Sequence, residues 1–209
     1  MSEIKVNKIS PVSDSGTITL GDSGDTFTVP SGATITNSGT ATGFGGGGKI
    51  NQVINVVKTD IAAETTQSTW VDISGLSATI TPSATDSKIL VLPSVIMTCG
   101  NQSFIRIVRN QPAANTIIDD GVGDAAGNRL QCLSGTFGSG QTTYNHQPNT
   151  TQIVLDEPAT TSAITYQIQW YKDSASNTLL LNQTRTYPDA NTTASPRTIS
   201  SITLMEVLA

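Results

Sequence analysis

Charge is scarce in this chain: Asp, Glu, Lys and Arg make up 13% of its 209 residues. The net charge is -5 and no basic cluster stands out, which argues against a nucleic-acid reader. Aromatic residues are only 5% of the total. There is one histidine, His146, and there are two cysteines, Cys99 and Cys132. Two cysteines make neither a disulfide framework nor a Cys-rich zinc centre. They read as two separate small thiols in the interior, with a single bridge as the alternative. Ser-His-Asp or Cys-His catalysis would need His146 beside a nucleophile and an orienting acid. Cys132 and Asp119 are available, but no local signature links them to His146. No run approaches the roughly 18 apolar residues of a membrane span. The opening MSEIKVNKIS has no apolar signal core, so the expectation is synthesis in a cytoplasm without export by its own signal. Convincing helical stripes are missing as well.

What the chain has instead is Thr, Ser, Asn and Gln around short apolar bursts, a composition suited to β-structure with neutral hydrogen-bonding faces. The bursts are most regular in residues 14–48. Ile18 and Leu20 are followed nine positions later by Phe27 and Val29, and Ile35 stands eight beyond Phe27. Between them lie GDSGD and PSGA, which are turn chemistry. Apolar and Thr residues alternate within each burst, the signature of a strand with one buried face. So small a repeat of strand and turn cannot bury its own apolar side. With no Cys and no His to staple it, it must pack against the same stretch of other chains. Residues 14–48 are therefore expected to form a thin shaft in a symmetric oligomer, with Ile18, Leu20, Phe27, Val29 and Ile35 as its core. A disordered Thr/Gly/Ser linker is the alternative. Residues 1–13, with Ile4, Val6 and Ile9 as apolar points, form a tip suited to docking on something else. Gly45 to Gly48 are four consecutive glycines, a flexible hinge. They lack the Lys-Ser/Thr ending of a phosphate loop.

From Lys49 to Ala209 strand follows strand. Ile50 to Val57, Thr69 to Ile73 and Leu76 to Ile80 come first. Lys88 to Met97 and Phe104 to Arg109 follow. Ile153 to Leu155, Ile164 to Trp170, Leu179 to Leu181 and Ile199 to Val207 complete the set. Pro93 predicts a bulge or an edge. TDIAAETTQ, Thr59 to Gln67, could hold one helical turn with Asp60 as its cap. Eight to ten strands with turns between them predict an all-β fold, an antiparallel β-sandwich of jelly-roll type. Trp70, Trp170 and the aliphatic faces supply one core between two sheets.

Three long loops interrupt the sandwich at 118–131, 135–151 and 185–197. The first carries Asp119, Asp120 and Asp124, hard ligands that could hold calcium but lack EF-hand spacing; a solvated acidic turn is the default. No metal and no cofactor is expected. The second carries Tyr144, Asn145, His146 and Gln147, and the third Tyr187, Asp189 and Asn191. Rings with amides can stack on and bond to a sugar, so these are the candidate receptor-binding residues; ordinary exposed loop residues are the bland alternative. Asp156 and Glu157 are adjacent and point to opposite strand faces, so they do not make the facing carboxylate pair that glycoside hydrolysis needs.

Taken together, MSEIKVNKISP, TLGDSGDTFTVPSGATITNSG and ATGFGGGGK resemble the N-terminal region of bacteriophage fibre proteins, those of marine phages especially. TWVDISGLSATITPSATDSKILVLPSV and the closing SSITLMEV extend the resemblance over nearly the whole chain, more loosely. The resemblance implies a non-enzymatic homotrimeric virion fibre assembled in the host bacterium. Its tip would attach to another virion protein, its thin β shaft would follow, and a C-terminal sandwich knob would meet a host-surface glycan or protein. A head fibre or capsid decoration of the same architecture is the alternative. A glycan-cleaving tailspike is disfavoured by size and by the missing acid pair. Nothing implies nucleic acid or membrane insertion.

Overall fold

The computed structural model describes residues 9–11, 17–34, 36, 50–136, 149–175, 178–185 and 191–208. The chain divides into two compact units, Met1–Phe44 and Gly45–Ala209.

In the first unit, the two stretches of turn chemistry do form turns. Asp25 N–H donates to Asp22 C=O at 3.0 Å, and Asp22 N–H donates back to the Asp25 carboxylate at 2.8 Å. Ala33 N–H donates to Pro30 C=O at 3.1 Å. Gly24 at φ 98° and Gly32 at φ 85° take the left-handed backbone those turns require. The segments on either side carry no strand among residues 17–34. A strand needs a neighbour's hydrogen bonds, and a single copy supplies none here. Leu20 and Phe27 are 62% and 68% exposed, and Ile18 and Val29 also face water.

The second unit is an antiparallel β-sandwich of twelve strands among the described residues. They are β1 (Ile50–Lys58), β2 (Ala62–Glu64), β3 (Trp70–Ile80), β4 (Lys88–Thr98), β5 (Ser103–Arg109), β6 (Thr116–Ile117), β7 (Ser134–Thr136), β8 (Asn149–Thr150), β9 (Val154–Asp156), β10 (Ile164–Lys172), β11 (Leu179–Leu181) and β12 (Ser200–Val207). One sheet runs β1-β12-β4-β11-β2, with β8 and β9 also paired to β4. The other runs β3-β10-β5-β6, with β7 also on β5. The chain crosses between the sheets several times, at β2–β3, β3–β4, β4–β5, β7–β8, β9–β10 and β10–β11.

Period-2 patterning explains which side each strand buries. In β10, Ile164, Tyr166, Ile168 and Trp170 turn inward. Ile89, Val91, Val95 and Met97 of β4 and Ile202 and Leu204 of β12 meet them from the facing sheet, in one continuous core. Trp170 lies in this core, but Trp70 does not: it stands half-buried on the outer side of the second sheet. The sandwich closes with aliphatic residues where the composition had suggested two tryptophans.

Three local expectations are corrected. Pro93 makes neither bulge nor edge. It pairs with Ile202 of β12 in the middle of β4. On the other flank the β9 ladder has ended at Val91 and the β8 ladder starts at Val95, so its missing N–H falls in a gap. The stretch 59–67 forms β2 rather than a helical turn, because Leu179–Leu181 offers it a strand edge. Asp60 caps nothing and pairs with Lys58 at 2.7 Å. The stretches read separately as Thr69 to Ile73 and Leu76 to Ile80 are one strand with a break in register. Asp72 faces Gln169 and Ser77 faces Gln167, so four residues of β3 lie opposite Ile168 alone. Gly75 takes φ 84° in this bulge. The Gln167 amide reaches across to the Ile73 and Leu76 carbonyls at 3.0 and 3.3 Å.

Candidate functional site

The side chains that the sequence offered for chemistry separate in space. Asp156 is buried and accepts two bonds on one oxygen, from Arg109 Nη1 at 2.7 Å and the Tyr166 hydroxyl at 2.6 Å. These three residues bind the sheets together, since Asp156 belongs to one sheet and Arg109 and Tyr166 to the other. Burial and the Asp156 carboxylate raise the Tyr166 pKa far above the usual phenol value. Glu157, on the opposite face as alternation requires, pairs with Lys88. Asp119 and Asp120 open a 3-10 turn, Asp119–Gly121, and face solvent, as does Asp124. No group of three His, Cys, Asp or Glu that could hold a metal occurs among the described residues.

Cys99 and Cys132 are free thiols, both half-buried. Cys132 lines a cleft of about 170 Å³ with Asp120, Gly121 and Val154. Burial pushes its thiol pKa up, away from a reactive thiolate.

Of the candidate receptor-binding residues, Tyr144, Asn145, His146, Gln147, Tyr187 and Asp189 lie outside the described residues; Asn191 is described and exposed. Of the candidate docking residues, Ile4 and Val6 lie outside the described residues and Ile9 is exposed. Of the shaft core, Ile35 lies outside the described residues.

The constellation that the structure does assemble is on the outer face of the second sheet, built by strand register. Tyr171 of β10 pairs with Trp70 on one side and Phe104 on the other. Directly opposed residues share a face, so three rings stand side by side across three strands. The Trp70 and Tyr171 centroids are 5.2 Å apart, and those of Phe104 and Tyr171 6.1 Å, both pairs tilted. Phe104 in turn pairs with Gly135 of β7. A Cβ there would come within 2.4 Å of the Phe104 ring, so only glycine lets the ring lie down at that edge.

Two residues along, a polar row repeats the pattern: Asp72, Gln169 and Arg106. Gln169 is 4% exposed and its amide fixes both neighbours. Its Nε2 donates to Asp72 Oδ1 at 2.7 Å, and its Oε1 accepts from Arg106 Nε at 2.8 Å. It also donates to Asn115 Oδ1 at 3.2 Å. The Arg106 guanidinium lies over the Trp70 ring, 4.4 Å from its centroid. Partial burial lowers the Arg106 pKa, and the nearby Asp72 charge opposes that effect. The sequence reading missed this face because it placed Trp70 in the core and ended the strand at Trp170, one residue before Tyr171. The available signal was that Trp70, Phe104 and Tyr171 each fall on the non-core parity of their strand.

No family model matches the chain, and no curated protein matches it. Among solved structures it shows a weak likeness to that of the infectious bursal disease virus Gt strain. That match has 12% identity and a TM-score of 0.34, covering 75% of this chain and 42% of that one. The VP2 subviral particle of infectious bursal disease virus is similar at 13% identity and a TM-score of 0.31, with 75% of this chain and 41% of that chain covered. The chain thus spans about two fifths of the length of these structures. Likeness at this level carries no argument about activity.

Proposed function

We propose that this protein is a non-enzymatic structural component of a phage virion. In this reading it is a homotrimeric fibre that docks through its N-terminal residues and presents the β-sandwich to the host surface. The observation that supports it most is the exposure of Ile18, Leu20, Phe27 and Val29, apolar pairs repeated at nine-residue spacing between well-formed turns. A lone chain gains nothing from setting such residues in water. Copies packed about one axis would bury them all, and would supply the strand partners that a single copy lacks. The resemblance of the N-terminal motifs to phage fibres points the same way.

The experiment is antibody labelling of purified particles of the phage that encodes the chain. The expected outcome is label at a fixed position on the particle, lost when residues 1–48 are deleted from the gene. Unlabelled particles, or normal incorporation of the shortened chain, would overturn the reading.

A further inference from the structure

We propose that the outer face of the second sheet is a sugar-binding site that takes a neutral pyranose, with Tyr171 against the ring and Asp72 and Arg106 reading two adjacent hydroxyls. The inference deepens the attachment reading and rests on it for the source of the sugar.

Three observations carry it. The first is the state of the two charged groups. Asp72 and Arg106 are both held by the Gln169 amide, yet no ion pair joins them. Gln169 uses one Asp72 oxygen and one Arg106 nitrogen, so Asp72 Oδ2 and both terminal nitrogens of Arg106 have no protein hydrogen-bond partner among the described residues. An acceptor and a two-pronged donor therefore open side by side. A vicinal diol satisfies such a pair: one hydroxyl donates to the carboxylate while its neighbour accepts from the guanidinium.

The second is orientation. Arg106 is flattened on Trp70 and tied at Nε, so its fork is fixed before any ligand arrives. Asp72 is fixed by the same buried amide. Binding then costs little side-chain ordering. The guanidinium is also partly dehydrated, and ligand oxygens would replace the water it has lost.

The third is the adjoining ring row. Tyr171 lies between Trp70 and Phe104, is half-buried, and stands two residues along its strand from Gln169 of the polar row. The C–H face of a pyranose is apolar and its rim is hydroxylated, which matches a ring row beside a hydroxyl-reading row. Asn115 borders the polar row, its Oδ1 already bonded to Gln169.

The local charge selects the class. Asp72 and Arg106 cancel, and the chain as a whole carries -5, so a neutral sugar is favoured over an acidic one.

The test uses the full-length protein and a panel of methyl pyranosides: the mannoside, galactoside, glucoside and N-acetylglucosaminide. Saturation-transfer NMR reads the contact, and the same sugars displayed on beads read retention. At least one pyranoside is expected to bind, with ring-proton transfer from the aromatic row. Asp72→Asn and Tyr171→Ala should each weaken retention about tenfold or more, the scale of one lost charged hydrogen bond. A deoxy analogue lacking one of the two hydroxyls should lose binding to a similar degree. Asp72 is exposed, so its variant tests the site without disturbing the core. Absence of binding by every pyranoside, or binding that both variants leave unchanged, overturns the site. Particle labelling is scored separately, so a labelled particle whose fibre binds no sugar overturns this inference and leaves the fibre reading standing.

Discussion

Glu206 is the residue through which falling pH should weaken the sandwich. It is fully buried in β12, and no ion pair joins it among the described residues. Its carboxylate accepts from Asn51 and Gln52 side chains at 2.8 and 2.7 Å, and from the Ser83 N–H and hydroxyl at 2.6 Å each. Burial alone would raise its pKa; the four hydrogen bonds, those of Ser83 foremost, outweigh burial and hold it at about 2. A folded-state value below the unfolded 4.5 stabilises the fold fully above that unfolded value. That contribution is lost as pH falls from about 4.5 towards 2, because the folded state must then give up the charged acceptor. The resistance of the protein to urea should therefore drop across this window. In Glu206→Gln the drop should be smaller, and stability at neutral pH should fall by about 1–3 kcal/mol, since an amide N–H then faces donors. Unfolding midpoints measured from pH 7 to pH 2 check both; a variant with the same pH profile as the parent would contradict the assignment.

At the scale of elements, the β3 bulge depends on one amide. Gln167 spans the bulge and bonds the Ile73 and Leu76 carbonyls, two acceptors that the broken ladder leaves without a strand partner. Gln167→Leu keeps the bulk and removes the donors. It should cost about 1–3 kcal/mol in chemical denaturation. A loss below about 0.5 kcal/mol, the range of a neutral surface change, would mean that water serves these carbonyls equally well.

The strands themselves were legible where alternation ran five residues or more. Ile164 to Trp170, Lys88 to Met97 and Phe104 to Arg109 could be read within two residues of the observed ends, because one face of each meets the core. Of the two- and three-residue strands, β9 and β11 could be read from their apolar runs, whereas β2, β6, β7 and β8 could not. Too short to show a period, they exist because an edge of a longer strand is close by. The register of β3 against β10 was hidden for the same reason: it is fixed by a partner ninety residues away in sequence. The candidate site followed suit. Its rings and its Asp72–Gln169–Arg106 row are contiguous only across three strands, so no local motif marks them.

For the whole molecule, the decisive contrast is between its two units. The sandwich has one apolar core shared by its two sheets, with Val53, Ile153 and Ile199 among the apolar residues left exposed outside it. The repeat at residues 17–34 forms its turns but leaves Leu20 and Phe27 more than half exposed. The proposed assembly of several copies rests on this contrast. The most direct test is the solution mass of the full-length protein by light scattering. The account predicts about three times 21.8 kDa, falling to the mass of one chain when Leu20→Ser and Phe27→Ser are combined. A parent protein that is already monomeric, or a trimer that the double substitution leaves intact, would contradict it.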